Sequence, residues 1–165
     1  MGDLLLLCGR AASPAATPAG AVAFVAADGP DDRLLWWEPA PDPRPAGAVS
    51  YRALLRLGAE SVAAPFLYTV EQDAAPEHEA ELNAWYAEEH LPRLGAVPGV
   101  LSARRFAAVD AATTPRYLAA YRLAARAVFE SPAWIEARET PWTLRARGFF
   151  RNARRTMRRM EGSAA

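Results

Sequence analysis

The chain has 165 residues, 52% of them hydrophobic, with 19 basic and 19 acidic side chains that cancel. That length suits one domain, or one domain with a sizeable extension, and zero net charge supplies no global basic field for nucleic acid. The single cysteine, Cys8, excludes an internal disulfide framework and any multi-cysteine metal site, and fits a reducing, cytoplasmic setting.

The N-terminus reads MGDLLLLCGRAAS. Its apolar run is short, Asp3 stands where a signal peptide needs positive charge, and Arg10 interrupts the run. No signal peptide is expected. No stretch approaches the roughly 18 apolar residues that span a bilayer, so no membrane association is expected either. Residues 12–20 (ASPAATPAG) and 38–47 (EPAPDPRPAG) read as loops. The apolar runs LLLLC, AVAFVA and LLWWE have strand length. SYRALLRLGAE, 50–60, fits helix or strand equally well by periodicity.

From residue 65 the pattern sharpens. Residues 66–72 (FLYTVEQ) read as a strand, and a helix is expected over 77–90. The Pro98-Gly99 turn starts a second strand over 99–109, and a third covers 116–124. A helical region spans about 127–139, and RRTMRRM, 154–160, is a candidate last strand. The order β-α-β-β-α-β is a split βαβ unit. Strand 116–124 is largely apolar on both faces: Tyr117, Ala119, Tyr121 and Leu123 point one way, Leu118, Ala120, Arg122 and Ala124 the other. Two helices cover only one face of a four-stranded sheet, so the other face requires a second layer. A homodimer partner is favoured for it, with residues 1–64 as the internal substitute.

Residues 83–100, NAWYAEEHLPRLGAVPGV, carry the chemistry that the sequence offers. On a helical wheel Leu82, Trp85, Tyr86 and Glu89 share one side, with Asn83 and His90 at its margin. Pro92 disfavours helix at Leu91, which places His90 in the last turn. A histidine there, titrating near neutrality, can exchange a proton at pH 7; equally, it can simply end the helix at the edge of the core. His78 sits among Glu77, Glu79 and Glu81 and reads as surface. The two histidines lie too far apart for an i, i+4 zinc pair, so no metal site is expected. The chain contains no lysine, which removes Schiff-base chemistry.

Ser131-Pro132 and Thr140-Pro141 each read as an N-cap followed by Pro at the first helical position. These starts fix Trp134 and Trp142, either as core or as the aromatic wall of an apolar pocket, with Tyr68 and Tyr121 as polar handles. Residues 138–160 hold eight arginines and one glutamate. A solvated face paired with the acidic helix is the simplest reading. An anion site is the alternative, with Arg104, Arg105 or Arg122 also available. Nucleic acid is not expected, because aromatics do not alternate with these arginines at strand spacing.

NAWYAEEHLPRLGAVPGVLSARRF, PRYLAAYRL, ESPAW, ETPWTLRARGFFRN and RRTMRRM together resemble the EthD-like branch of the dimeric α+β barrel proteins, over roughly 65–160. The resemblance implies an α+β fold: a ferredoxin-like antiparallel sheet in 65–165 with helices on one face, joined sheet to sheet around a central cavity. On it, residues 1–64 are an N-terminal α/β extension, possible as a degenerate second half. The motif turns His90 toward that cavity as the acid/base residue. Asn83, Tyr86, Tyr68, Tyr121, Trp134 and Trp142 would line it and bind substrate. The function expected is cofactor-free proton transfer on a small apolar or aromatic ligand, of lyase, isomerase or cyclase type. The alternatives are a cofactor-free monooxygenase and a non-catalytic ligand-binding or structural dimer.

Overall fold

The computed structural model describes residues 4–8, 16–59 and 63–163, with the backbone alone of 4–8, 30 and 31. Asp3, Arg10, residues 12–15 of the first loop and Glu60 lie outside the described residues. Eight strands are present: β1 Leu4–Cys8, β2 Val22–Ala26, β3 Gly29–Trp37, β4 Ala48–Gly58, β5 Phe66–Ala74, β6 Val100–Ala108, β7 Tyr117–Leu123 and β8 Phe150–Met160. They form one closed barrel in the order β1-β3-β2-β8-β5-β7-β6-β4, and every pairing is antiparallel. Residues 50–58, ambiguous by periodicity, are strand. Their register along β6 shifts between Ala53 and Leu55, a bulge that lets β4 keep pairing while its side chains change face.

The barrel contains the same topology twice. β5 to β8 lie in the order 8-5-7-6, and β1 to β4 in the order 4-1-3-2, which is the same pattern. The halves join reciprocally, β2 to β8 and β4 to β6. Only the second half carries helices. In the first, the proline-rich residues 38–47 connect β3 to β4; Pro fixes φ and removes a donor, so such a run cannot form a helix. Among the described residues of 1–64 there is no helix. The second layer that the two-sided strands require thus comes from the chain itself.

Alternation along the strands sorts the core into two compartments. Phe24, Trp36, Tyr51, Leu67, Phe106, Leu118 and Ala120 fill the barrel interior. Tyr68, Val70, Ala103, Ala119, Tyr121 and Leu123 face outward and pack under the helices. Among the described residues the interior side chains form a packed cluster inside the barrel.

The helical layer comprises α1 Glu79–Trp85, a π-helical turn Tyr86–His90, α2 Leu91–Gly95, α3 Pro132–Arg138 and α4 Pro141–Ala146. The helix does not end at His90. Pro92 cannot donate to the carbonyl four residues back, and its ring crowds that carbonyl. A wider turn absorbs the conflict: the Leu91 amide donates to Tyr86 O, five residues back, and the helix resumes to Gly95. Ser131 and Thr140 cap as expected, accepting from the amides of Trp134 and Thr143. Gly99 has φ +89°, and a Cβ there would run into Val128, so the turn into β6 needs glycine. Among the described residues no helix is long and apolar enough to cross a membrane.

Candidate functional site

Between the helices and the outward face of β5, β7 and β8 lies a cavity of about 100 Å³, partly open to solvent. Its floor is Tyr68, Val70 and Tyr121, and its roof Trp85, Tyr86, His90 and Leu94. Phe129 and Trp134 close one side, and Arg138, Arg147 and Arg155 stand at the rim. The volume is below the 300 Å³ or so where pockets for drug-sized ligands begin, and nearer the ~150 Å³ cavity that admits benzene.

The walls are aromatic and mutually oriented. Tyr68 stacks on Tyr121 at 6.0 Å, and Trp134 meets both edge-on, at 6.0 and 5.4 Å. Phe129 tilts against Tyr68 at 4.6 Å. Opposite them, the His90 ring stacks on Trp85 at 4.0 Å and stands edge-on to Tyr86 at 5.3 Å. The π turn produces this arrangement, because it holds Tyr86 and His90 at its two ends. Trp85 is anchored in turn, its Nε1 donating to Thr143 Oγ1 at 3.3 Å. Thr143 belongs to a short chain, since the Thr140 hydroxyl donates to the Glu89 carboxylate and accepts from the Thr143 hydroxyl. The Thr140 cap therefore ties α4 to the π turn above the cavity.

The electrostatics keep His90 neutral. Burial lowers its pKa to about 3, with the positive charges of Arg105, Arg147 and Arg138 adding to the effect. Its Nδ1 is buried with no hydrogen-bond partner. This reverses the expectation of a near-neutral titration: a helix end would favour imidazolium, but the helix does not end there, and burial together with three arginines favours the neutral ring. The tyrosines stay protonated. Burial raises Tyr68 to about 12, and it raises Tyr121 well above its ordinary value, where the neighbouring phenols add. The Tyr121 hydroxyl is also buried and unpartnered.

Of the residues singled out from sequence, His90, Tyr86, Tyr68, Tyr121 and Trp134 meet at this cavity. Asn83 does not. Its amide donates to the Tyr117 hydroxyl at 3.2 Å and accepts from Arg105 Nη2 at 3.0 Å, so its hydrogen-bonding capacity is spent inside the protein. Trp142 packs against the same core without lining the cavity. His78 is not free surface either; its ring stacks on Phe149 at 4.1 Å. Phe129 and Phe150 were not anticipated, and nothing in their spacing marks them. The rim arginines lay in the Arg-rich stretch that was read as a paired face. Much of that stretch is paired: Arg145 with Glu81, Arg147 with Glu139, Arg154 with Glu71 and Arg158 with Asp32. Of these four acids only Glu81 belongs to the acidic helix.

Among the described residues there is no cluster of His, Cys, Asp and Glu able to hold a metal ion.

No protein-family model and no curated protein sequence matches the chain. Solved structures do. An uncharacterised ferredoxin-fold protein from Listeria monocytogenes, related to antibiotic biosynthesis monooxygenases, aligns with a TM-score of 0.66 at 11% identity, over 99% of this chain and 97% of that one. A monooxygenase-like protein from Listeria innocua aligns with a TM-score of 0.66 at 13% identity, over 99% and 96%. An anthrone oxidase-like protein aligns with a TM-score of 0.55 at 11% identity, over 95% and 90%. At such identities the likeness speaks for the fold alone: the chain is a ferredoxin-like α+β protein of the dimeric-barrel type.

Proposed function

We propose that the chain acts on a small apolar or aromatic molecule held between helices and sheet, and that His90 exchanges a proton with it without a cofactor. One observation carries this reading: a neutral imidazole that lines the cavity among aromatic side chains and whose buried Nδ1 has no hydrogen-bond partner. The imidazole is unprotonated at pH 7 but, with its pKa at about 3, a weak base; it takes a proton only as the anion forming on the ligand favours the imidazolium beside it. It would take a proton from a C–H or O–H of the ligand, leaving the electron pair on the ligand as an enolate or phenolate. Return of that proton to a different carbon completes an isomerisation; departure of a leaving group completes an elimination. Tyr68 and Tyr121, held protonated, donate hydrogen bonds to the ligand's oxygen, and Trp134 supplies the flat wall.

The fold likeness to monooxygenase-like and anthrone oxidase-like proteins favours a second reading, cofactor-free oxygenation. The same carbanion would then pass its electrons to dioxygen, with one oxygen atom ending in a carbonyl and the other in water. Oxygen consumption separates this reading from isomerisation. Within the superfamily, we place the chain in the EthD-like branch on the 83–100 motif. Its setting is cytoplasmic on the cysteine argument. Because the barrel closes within one chain, a single copy completes the site, and a homodimer would form through the outside.

The test is a thermal-shift screen of small aromatics, followed by turnover assays on the hits. Binding at 100 times Kd stabilises by about 2.7 kcal/mol. Hits turned over by the wild type and not by His90→Gln support the reading. Hits that bind but never react make the protein a binder, and a screen without hits removes the ligand site.

A further inference from the structure

Directly behind Tyr86, in the roof of the cavity, lies a buried polar cluster that the proton-transfer reading does not use. Arg105 is 2% exposed and Gln72 fully buried. The Arg105 guanidinium lies 3.6 Å over the Tyr86 ring and 4.7 Å from that of Tyr117. One of its nitrogens donates to Asn83, while Nε and Nη1 make no well-aligned hydrogen bond, the Tyr86 hydroxyl being a weak partner at most. No carboxylate pairs with it among the described residues. Both amide atoms of Gln72 lack a good hydrogen bond as well.

A buried cation without a counter-ion costs several kcal/mol, and proteins normally pair it. This chain does so elsewhere: buried Arg33, Arg104 and Arg158 each meet a carboxylate. The exception therefore sits where a charge can be supplied from outside. The sheet register shows the route. Val70 on the cavity floor pairs with Ala119, and Ala119 pairs with Arg105. Ala119 stands between Val70 and Arg105 across the sheet, and the guanidinium lies against the ring of Tyr86, which lines the cavity. Tyr86 and Tyr121 line the cavity, and both feel the Arg105 charge.

We propose that Arg105 and Gln72 form a buried anion-stabilising subsite behind Tyr86 and Tyr121, so that the cavity prefers the ionised form of a small weak acid, a phenol or an enol, over the neutral form. This rests on the reading of the cavity as a ligand site. The ligand's oxygen meets the Tyr121 hydroxyl, and Arg105 acts through the tyrosines as a positioning residue. The step balances: the O–H or C–H proton moves to His90, and the charge left on the ligand is the one that Arg105 lacks. Other charges face the cavity too. Arg138 and Arg147 share Glu139 at the rim, and Arg155 is exposed there. Salt screens such exposed charges far more than buried ones.

The probe is 4-nitrophenol, whose phenolate absorbs visible light and which ionises near neutral pH. Nitrobenzene serves as the neutral analogue. Spectral titration across pH, at low and at molar salt, gives the ionisation of the bound probe. The expected result is a bound pKa about one unit or more below that in water, a roughly tenfold preference for phenolate, surviving molar salt. Arg105→Met should abolish the preference, and Gln72→Leu should reduce it. Arg155→Met should weaken binding only at low salt. An unshifted pKa with both probes bound overturns the inference and leaves the ligand site standing. A shift that vanishes in molar salt, or persists in folded Arg105→Met, also overturns it and assigns the effect to the rim. If neither probe binds, the subsite and the ligand-site reading fall together. Should Arg105→Met fail to fold, the wild-type titration and Gln72→Leu decide.

Discussion

Arg104 and Arg105 are neighbours in the chain and point to opposite faces of β6. Arg104 enters the barrel, where both oxygens of Glu38 accept from it and where Arg56 and Arg122 lie 3.5 and 3.9 Å from the same carboxylate. Arg105 faces the helices and meets aromatic rings, an amide oxygen and no acid. The two faces of one sheet therefore follow different rules. Inside the barrel, buried charge is neutralised locally; Arg158 shows the same, held by Asp32 and Thr69. On the helix face the buried guanidinium of Arg105 has no carboxylate among the described residues, and it lies beside a cavity. That contrast separates a part built for stability from a part built to receive something.

The largest expected effect breaks the first half of the contrast. Glu38→Ala removes the carboxylate that pairs with Arg104, 2% exposed. Loss of one partner of a buried pair typically costs about 3–5 kcal/mol. Urea unfolding of this variant should show a loss of that order, whereas Arg145→Ala, removing an exposed pair with Glu81, should cost under about 1 kcal/mol. Equal losses would erase the distinction between the faces.

His90→Gln tests the other half. Once a substrate is found, turnover should fall by about 10²–10⁴, the usual contribution of proton transfer, with the circular dichroism spectrum unchanged. A stability loss well above 2 kcal/mol with turnover intact would make His90 a packing residue.

The chain's legibility follows the same division. β5 to β8 could be read because their apolar residues alternate on both faces, and the Ser131 and Thr140 starts because capping is local chemistry. What could not be read depends on distant partners. The period-2 pattern puts Arg104 and Arg105 on opposite faces, yet nothing local says that Glu38, across a proline-rich loop, is waiting for one of them. Asn83 falls on the stripe of Tyr86 and His90, but its hydrogen bonds go to β6 and β7. Pro92 looks like a helix stop, and only tertiary packing of Leu91 and Leu94 explains why the chain widens one turn and continues. The strands of 1–64 were visible one by one; their place in a closed barrel was not, since barrel order is set by non-local pairing.

A third effect is a pH slope. His90 has its folded pKa pushed down to about 3, below the ~6.5 of an unfolded histidine. Between those values the unfolded chain binds a proton that the folded one refuses, so stability rises with pH in that window and is lost as pH falls through it. Carboxylates titrate there too, so the measurement is the difference between wild type and His90→Gln. The wild type should lose more stability from pH 6.5 to pH 4. Parallel curves would mean that His90 is not held neutral.

The smallest effect sharpens the link between cap and cavity. Thr140→Ala removes the N-cap of α4 and its bond to Glu89, which should cost about 1 kcal/mol. Ser131→Ala should cost the same without touching the π turn. If ligand affinity falls in the first variant and not the second, Thr140 holds the roof in place.

A structure of the protein with phenol bound tests most directly whether the helix face, and not the barrel, receives the ligand. The expected result is a ring between Trp85 and Trp134 with its oxygen in hydrogen-bond reach of His90 Nδ1 or the Tyr121 hydroxyl. Phenol found only outside this cavity at saturating concentration, with His90 and Tyr121 still unpartnered, would contradict it.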